Sequence, residues 1–213
     1  MHFLPETLEQ YIVAHSQEEP EILQKLTRET HLKVIQPRMI TGHFQGRVLS
    51  LLSKLIKPKY ILEIGTYTGY SALCLAEGIQ EGGELHTIDI NEELIEIQRK
   101  YFDQSPKGAQ ITQHHGNALE IIPNLDRVFD LVFIDAEKRE YPRYFELVMQ
   151  KVKKGSVILS DNVLWSGKVV ETPDKKDIAT KTLLEYNKML KEDPRVETVI
   201  LPIRDGLTLS LVL

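Results

Sequence analysis

The chain has 213 residues, of which 42% are hydrophobic and 27% charged, and its formal net charge is −5. This size predicts one α/β domain over residues 1–213. The acidic balance argues against a general surface for nucleic acid or an anionic membrane. The single cysteine, Cys74, rules out an internal disulfide, and the sequence has neither a signal-peptide pattern nor an apolar run of about 20 residues. We therefore expect a cytoplasmic protein in which Cys74 is a buried core thiol.

The predicted elements begin with helices over residues 5–56. Two of these helices begin with a proline, at Pro5 and Pro20, which suits the first helical position. A third helix has Thr41 as a candidate N-terminal cap and apolar residues at helical spacing after it. The chain therefore divides into a helical N-terminal part, 1–56, and a core, 57–213.

From residue 59 onward, short apolar runs alternate with helical segments. Strands are predicted at 59–65, 83–90, 109–115, 129–135 and 155–161. Helices are predicted between them at 70–79, 91–104, 117–125 and 141–152, with Asn91 as the cap of the second. This alternation favours a doubly wound parallel sheet that is covered by helices on both faces.

The C-terminal part departs from this alternation. A helix at 177–193 is followed by two strands, 196–203 and 207–213, with only residues 204–206 between them. So short a connection predicts a hairpin, and therefore an antiparallel last strand in a mostly parallel, seven-stranded sheet. Residues 166–177 are rich in small and charged side chains, and we expect this segment to be flexible.

The stretch "LEIGTYTGYS", residues 62–71, lies where the first strand passes into a helix. Gly65 and Gly69 allow a tight turn there and a close approach of backbone to a ligand. The dinucleotide fingerprint G-x-G-x-x-G requires a third glycine, but Tyr67 occupies that position. This departure disfavours a nicotinamide dehydrogenase, and the absence of a G-K-[ST] motif excludes a P-loop.

Two carboxylates flank the glycine turn. Glu63 would suit a cationic ligand and repel a pyrophosphate, and Asp89, at the end of the second strand, would accept hydrogen bonds from ribose hydroxyls. Asn117 and Ala118 follow the third strand, where an adenine ring would lie. A ligand with a ribose and a positive charge but no phosphate is indicated, and S-adenosylmethionine fits. The alternative is that Glu63 and Asp89 are solvated strand ends.

A second group of polar residues ends the fourth and fifth strands. Asp135 ends the fourth, and Asp161 and Asn162 end the fifth. If these strands are neighbours, two carboxylates and an amide oxygen converge, and like charges repel unless a cation lies between them. Such hard oxygen ligands favour Mg²⁺, or another divalent cation such as Mn²⁺ or Ca²⁺. The alternative is helix capping, for which Asp and Asn are also suited.

Seven stretches together resemble the cation-dependent O-methyltransferases of the caffeoyl-CoA and catechol type. They run from about residue 38 to the C-terminus and read "RMITGHFQGRVLSLL", "ILEIGTYTGYSALCLA", "IDIN", "GNALEIIP", "FDLVFIDAEKREYPRYFE", "SDNVLWSGKV" and "LPIRDGLTLS". The resemblance implies a seven-stranded methyltransferase sheet, a homodimer and a metal bound by Asp135, Asp161 and Asn162. It implies Lys138 as the base. The S-adenosylmethionine site that it implies consists of Met39, Thr41, Glu63, Gly65, Tyr67, Gly69, Ser71, Asp89, Gly116, Asn117, Ala118 and Asp135.

The reaction expected from this resemblance is methylation of a catechol-like hydroxyl, as in caffeate, caffeoyl-CoA or a flavonoid. Mg²⁺ would stabilise the phenolate, and Lys138, with a pKa lowered by the dication, would take the proton. Trp165 would wall the aromatic pocket, although plain packing is an alternative. Arg204 and Asp205 suit either turn chemistry or a substrate or dimer contact.

Three other functions remain to be weighed against this one. A methyltransferase that acts on RNA or protein would share the donor site, but the net charge and the lack of basic clusters argue against RNA. A nucleoside-binding protein without catalysis would not need Lys138 beside two carboxylates and Asn162. A nicotinamide dehydrogenase is disfavoured by Tyr67.

Overall fold

The computed structural model describes residues 5–213, so residues 1–4 of the predicted 1–213 domain lie outside the described residues. The helices are α1 Glu6–Ala14, α2 Glu21–Lys33, α3 His43–Ile56, α4 Tyr70–Ala76, α5 Ile95–Gln104, α6 Ala118–Ile121, α7 Tyr141–Met149 and α8 Ile178–Glu192. The strands are β1 Tyr60–Ile64, β2 Glu84–Asp89, β3 Ile111–His115, β4 Phe129–Ile134, β5 Val152–Asp161, β6 Val196–Leu201 and β7 Leu207–Val212. Within this described range, no helix is long and apolar enough to cross a membrane.

The seven strands form one sheet in the order β3-β2-β1-β4-β5-β7-β6. Strands β1 to β5 are parallel, whereas β7 lies antiparallel between β5 and β6. The predicted doubly wound sheet with an antiparallel last strand is therefore confirmed. The strand order reverses between β1 and β4, where Ile64 pairs with both Ile88 and Ile134. Ligands of open α/β sheets bind at such a switch point, beyond the carboxyl ends of the strands.

The central strands are apolar because helices cover both faces of the sheet. Alternate residues of β4 illustrate this arrangement: Leu131 and Phe133 belong to one buried cluster, and Val132 and Ile134 belong to the other. Residues from α2 to α5 complete the first cluster, and residues from α6 to α8 complete the second. Leu23 of α2 lies in the first cluster together with Cys74, so the N-terminal helical part packs on the core. The predicted burial of Cys74 is confirmed.

Local differences from the predicted elements arise mainly at their ends. Thr41 does not cap α3, because the helix begins at His43 after Gly42, and no side chain caps it. Asn91 does act as a cap: its side chain accepts the Glu93 amide at 3.0 Å, although a 3₁₀ turn precedes α5. Pro5 and Pro20 each lie one residue before their helix, at the capping position.

Two further differences concern the second half of the core. Strand β5 begins at Val152, three residues earlier than predicted, because Val152 pairs with Phe129 ahead of a register shift in β4. The segment predicted to be flexible contains a short 3₁₀ run, Trp165–Val170, in which Ser166 has a φ of +55° and Gly167 a φ of +82°.

Candidate active site

A cleft of about 2120 Å³ opens at the carboxyl ends of the parallel strands. Sites for one small ligand commonly measure about 300–1,000 Å³, so this cleft has room for two ligands side by side. Most of the predicted site residues line it. They are Met39, Thr41, Gly65, Tyr67, Asp89, Gly116, Asn117, Ala118, Asp135, Lys138, Asp161, Asn162 and Trp165.

Three predicted donor-site residues do not line the cleft: Glu63, Gly69 and Ser71. Gly69 has a φ of +92°, and a Cβ there would lie 2.6 Å from the Phe102 ring, so this glycine serves the packing of α4 on α5. Ser71 is the second residue of α4 and is buried behind the turn, close to Glu63. The glycine spacing therefore reflects packing as well as ligand approach.

Glu63 is fully buried beneath the glycine turn rather than exposed at a strand end. Its Oε2 accepts the Thr87 hydroxyl at 2.5 Å, whereas its Oε1 has no hydrogen-bond partner among the described residues. Burial raises the pKa of Glu63 to about 8. The Glu63 carboxyl thus lies behind Gly65, where burial favours its neutral form, and not in the cleft where the sequence suggested a ligand contact.

The turn after β1 is held by Asp89. Its Oδ2 accepts the amides of Thr66 at 3.0 Å and Tyr67 at 2.7 Å, and its Oδ1 accepts the Asn91 amide at 2.9 Å. A carboxylate has about four acceptor positions, so Oδ1 can still accept a hydroxyl from a ligand. Gly65 has a φ of +99°, and a Cβ there would lie 2.1 Å from the Asp135 carbonyl oxygen. Only glycine lets the ends of β1 and β4 approach so closely.

The other residues of this half are also held by local contacts. Tyr67 has a φ of +47°, a conformation that glycine adopts easily, and its hydroxyl donates to the Gln36 carbonyl at 3.2 Å. The Asn117 side chain accepts the Leu119 amide at 3.0 Å and so caps α6. Gly116, with a φ of +139°, and the buried Ala118 leave space on this side of the cleft.

The opposite half of the cleft contains an ion pair. Lys138 is 8% exposed, and its Nζ lies 2.8 Å from Asp135 Oδ1. Lys138 begins a 3₁₀ turn after β4, so three residues of chain return its side chain to the strand end. Lys138 is therefore not a solvated surface lysine, and Asp135 supplies the fixed partner that a buried ammonium group requires.

Asp161 ends β5 next to this ion pair and is 3% exposed. Burial, together with repulsion from Asp135, raises the pKa of Asp161 to about 7. Its Oδ1 accepts the amide of Asn162, whose φ of +58° turns the chain away from the strand. Residues 5–213 contain no cluster of three or more His, Cys, Asp or Glu side chains suited to a metal. A cation here would thus need the Asn162 amide oxygen beside the two carboxylates.

Comparison with known proteins gives the family of the chain. Residues 13–213 match a protein family described as O-methyltransferase. The chain is 37% identical to caffeoyl-CoA O-methyltransferase 5 of Nicotiana tabacum, over 96% of this chain and 90% of that protein. It is 36% identical to the caffeoyl-CoA O-methyltransferase of Petroselinum crispum over the same shares. The chain belongs to the O-methyltransferase family.

Solved structures agree with this assignment. The O-methyltransferase TomG of Streptomyces achromogenes, involved in tomaymycin synthesis and solved with SAM, is 31% identical, with a TM-score of 0.89 over 97% of this chain and 96% of that one. The O-methyltransferase of Bacillus cereus, solved with SAH, is 27% identical, with a TM-score of 0.90 over 97% of each chain. The chain is therefore an enzyme of the O-methyltransferase class with the fold of these proteins.

One contact at this site was not predicted from the sequence. The hydroxyl of Tyr141, a residue of α7, accepts a hydrogen bond from Lys138 Nζ at 2.8 Å. The same hydroxyl lies 3.0 Å from the Asp161 carbonyl and 3.2 Å from the Ile134 carbonyl. The spacing of three residues between Lys138 and Tyr141 is the only sequence signal for this contact.

The hairpin between β6 and β7 joins two walls of the cleft. Arg204 Nη1 donates to the Ile40 carbonyl at 3.1 Å and to the Thr41 carbonyl. Asp205 accepts the Ser166 amide, and its backbone carbonyl accepts the Leu164 amide at 2.9 Å. Both residues line the cleft, so the hairpin positions the segment before α3 as well as the loop that carries Trp165.

Trp165 has both roles that the sequence left open, as a wall of the cleft and as a packing residue. It lines the cleft and also packs against the second buried cluster. Its Nε1 is buried without a hydrogen-bond partner among the described residues. The backbone amide of Trp165 donates to the Asn162 carbonyl at 3.1 Å and that of Ser166 to Asp205, so two contacts keep this loop against the cleft.

Proposed function

We propose that the chain transfers the methyl group of S-adenosylmethionine to one hydroxyl of a catechol-like aromatic compound, with the help of Mg²⁺ or a similar divalent ion. The observation that carries this proposal is the group formed by the buried Lys138 and Asp161 with the half-buried Asp135, all of which line the cleft. Two acids and a buried lysine on adjacent strand ends suit activation of a hydroxyl. They have no evident use in a protein that only binds a nucleoside.

The part of the cleft at the ends of β1, β2 and β3 supports the donor site. TomG and the Bacillus cereus enzyme, whose structures contain SAM and SAH, share this fold. Asp89 lines the cleft, and its Oδ1 retains an acceptor position. The ribose of S-adenosylmethionine can use that position, and this ligand needs no pyrophosphate-binding glycine at Tyr67.

The metal site is supported by the chemistry of its donors. Asp135, Asp161 and Asn162 offer only hard oxygen atoms, the kind that Mg²⁺ prefers. The pKa of Asp161 is raised in part by Asp135, so a cation bound to both would remove an existing repulsion. When bound there, a divalent ion supplies Lewis acidity that stabilises a phenolate.

The roles of the chain's own residues follow from their positions. Lys138 gives one ammonium proton to solvent and, as the neutral amine, takes the acceptor's phenolic proton on Nζ, while Asp135 holds that nitrogen in place at 2.8 Å. The phenolate oxygen then forms a bond to the methyl carbon as the bond from that carbon to sulfur breaks, which leaves S-adenosylhomocysteine. The shared cleft keeps donor and acceptor side by side, so that part of the entropic cost of their meeting is avoided.

The proposed acceptor is a small aromatic compound with two vicinal hydroxyls. Trp165, Tyr144 and Met39 all line the cleft. Aromatic and thioether side chains suit an aromatic ring. The plant relatives are named caffeoyl-CoA O-methyltransferases, and caffeoyl-CoA is therefore the first acceptor to test, followed by caffeate, catechol and flavonoids.

An assay of the purified protein tests the proposal. We expect methyl transfer to at least one catechol in the presence of Mg²⁺, loss of transfer in EDTA and recovery when Mg²⁺ is restored. Calorimetry should show binding of S-adenosylmethionine far tighter than binding of NAD. Methylation of monohydroxy aromatics, RNA or protein at equal rate in EDTA would overturn the catechol and metal assignment.

We also propose that the enzyme is a homodimer in a reducing compartment. Exposed apolar side chains support the dimer: Leu8 and Tyr11 of α1 are 45% and 60% exposed, and Leu51 and Leu55 of α3 are 59% and 71% exposed. Such side chains on adjacent helices favour a contact between chains. Light scattering at micromolar concentration distinguishes a dimer from a monomer of 24.5 kDa.

A further inference from the structure

We propose that Tyr141 is a positioning residue that directs the Nζ of Lys138 at the acceptor hydroxyl. The inference rests on the proposed function, because Lys138 is taken as the base. It assigns to a buried tyrosine a role that simple packing of α7 does not require.

The geometry places the Tyr141 hydroxyl at a junction of three groups. It lies 2.8 Å from Lys138 Nζ, 3.2 Å from the carbonyl of Ile134 and 3.0 Å from the carbonyl of Asp161. Those carbonyls belong to the ends of β4 and β5. A phenol has one proton to donate, and both carbonyls compete for it. The Tyr141 oxygen is therefore left as an acceptor for Lys138.

Hydrogen-bond counting then fixes the free direction of Nζ. An ammonium group has three N–H bonds, and here two of them are directed at Asp135 Oδ1 and Tyr141 Oη, each at 2.8 Å. The third direction of Nζ has no partner among the described residues. Because Lys138 lines the cleft, that third direction is the one available to an acceptor hydroxyl.

Two acceptors fix this direction, whereas one would not. With Asp135 alone, Nζ could rotate about its single contact and turn its third direction away from the substrate. The Tyr141 ring is itself held. It packs edge-on against the Tyr186 ring, with 5.3 Å between the two ring centroids, and its own centroid lies 4.9 Å from Lys138 Nζ. The side chain is fully buried, so the hydroxyl has no water to replace these partners.

The decisive variant is Tyr141→Phe, which removes only the hydroxyl. The matched control is Tyr186→Phe, because Tyr186 is equally buried and its hydroxyl bonds to Ser160 at 2.7 Å without touching Lys138. We expect kcat for a catechol to fall about 10-fold or more in Tyr141→Phe, the effect of one hydrogen bond to a charged group. KM, the affinity for S-adenosylhomocysteine and Mg²⁺ binding should stay unchanged, and the control should keep its kcat.

A double variant separates positioning from a general structural effect. If Tyr141 acts through Lys138, then adding Tyr141→Phe to Lys138→Ala should reduce kcat no further. A loss of kcat that is independent of Lys138, or one equal in Tyr186→Phe, would overturn the proposal.

A second measurement does not depend on the reaction. The Nζ–H signal of Lys138 in ¹H–¹⁵N spectra, assigned by its absence in Lys138→Ala, should be protected from exchange in the wild type and in Tyr186→Phe. We expect that protection to be lost in Tyr141→Phe. Equal protection in both variants would refute the Tyr141 contact. By contrast, an inactive wild type that kept the protected signal would contradict only the proposed function.

Discussion

The two halves of the cleft are built from different parts of the polypeptide. The half at the ends of β1, β2 and β3 has three small residues, Gly65, Gly116 and Ala118, beside the carboxylate of Asp89, whose Oδ2 is already taken by the amides of Thr66 and Tyr67. The half at the ends of β4 and β5 is lined by ionisable side chains, among them Lys138 and Asp161. The first half can hold a ligand by shape and backbone hydrogen bonds, whereas the second can also move a proton.

This difference indicates how each half should respond to substitution. Removing a charged side chain from the β4–β5 half should lower turnover and leave donor binding intact, because the donor's proposed contacts lie elsewhere. Changes in the β1–β3 half should act on donor binding or on stability. The following predictions test that division, beginning with the largest expected effect.

Replacement of Asp161 by alanine should have the largest effect. We expect Asp161→Ala to lose measurable methyl transfer to a catechol and to lose Mg²⁺ affinity, because one of two proposed carboxylate ligands is gone. Its affinity for S-adenosylhomocysteine should match that of the wild type. Calorimetry with each ligand, together with a methyl-transfer assay, provides the test.

Asp161→Asn is the matched control for charge, since it keeps the side-chain shape and one carbonyl oxygen. It should bind Mg²⁺ more weakly than the wild type but better than Asp161→Ala. Full activity of Asp161→Ala in EDTA would show that the acid only caps the end of β5.

Lys138→Ala should have the second-largest effect. We expect kcat to fall by about 10²–10⁴-fold, as for the loss of a general base. Mg²⁺ binding and S-adenosylhomocysteine binding should be kept, which separates this variant from Asp161→Ala. Lys168→Ala is a suitable control, because Lys168 pairs with Asp177 on the surface. An unchanged kcat in Lys138→Ala would remove the base from the mechanism.

The sequence predicted the seven strands but not their order in the sheet. Alternating apolar runs gave all seven strands, and the short 204–206 connection gave the antiparallel β7, because these signals are local. The meeting of Asp135 with Asp161 was also predictable, since neighbouring parallel strands end together.

The contacts that local patterns do not encode were not predicted. Arg204 reaches the Thr41 carbonyl across 163 residues, and no spacing rule links the two. The burial of Glu63 depends on strands packed on both sides of β1, so its raised pKa becomes apparent only when the sheet is assembled. Tyr141 combines a local contact with distant ones. It is only three residues from Lys138 in sequence, but the carbonyl partners of its hydroxyl come from two strands.

The third prediction concerns Glu63, the buried acid of the β1–β3 half. Burial raises the pKa of Glu63 from 4.5 to about 8, so in the ligand-free protein the folded state keeps a proton that the unfolded chain loses above about pH 4.5. The contribution of Glu63 to the free energy of unfolding should therefore fall as pH rises from about 4.5 to 8. Above the folded pKa it should level off.

Glu63→Gln removes this titration and keeps the size of the side chain. We expect the variant to gain about 1–3 kcal/mol relative to the wild type between pH 5 and pH 8, measured by urea unfolding at several pH values. Glu81→Gln, on an exposed turn, is the control and should follow the wild type. Parallel curves for Glu63→Gln and the wild type would mean that Glu63 is ionised throughout.

The smallest expected effect belongs to Arg204, which connects the hairpin to the segment before α3. Its Nη1 donates to the Ile40 and Thr41 carbonyls. Arg204→Met therefore keeps much of the length of the side chain but removes both of these hydrogen bonds. Because Met39 and Thr41 line the cleft near the proposed donor and acceptor, the segment should loosen and KM should rise about 3–10-fold, the effect of one or two lost hydrogen bonds. The kcat should change little, since Lys138 and Asp161 do not contact Arg204.

Arg127→Met supplies the control for this last prediction. Arg127 pairs with Glu84 at 3.0 Å at the opposite end of the sheet, so its loss removes an arginine ion pair without touching the cleft. Steady-state kinetics should show a raised KM only in Arg204→Met. If kcat fell instead and KM stayed constant, the hairpin would act on the half of the cleft at the ends of β4 and β5. Arg204 would then have to be assigned to that half.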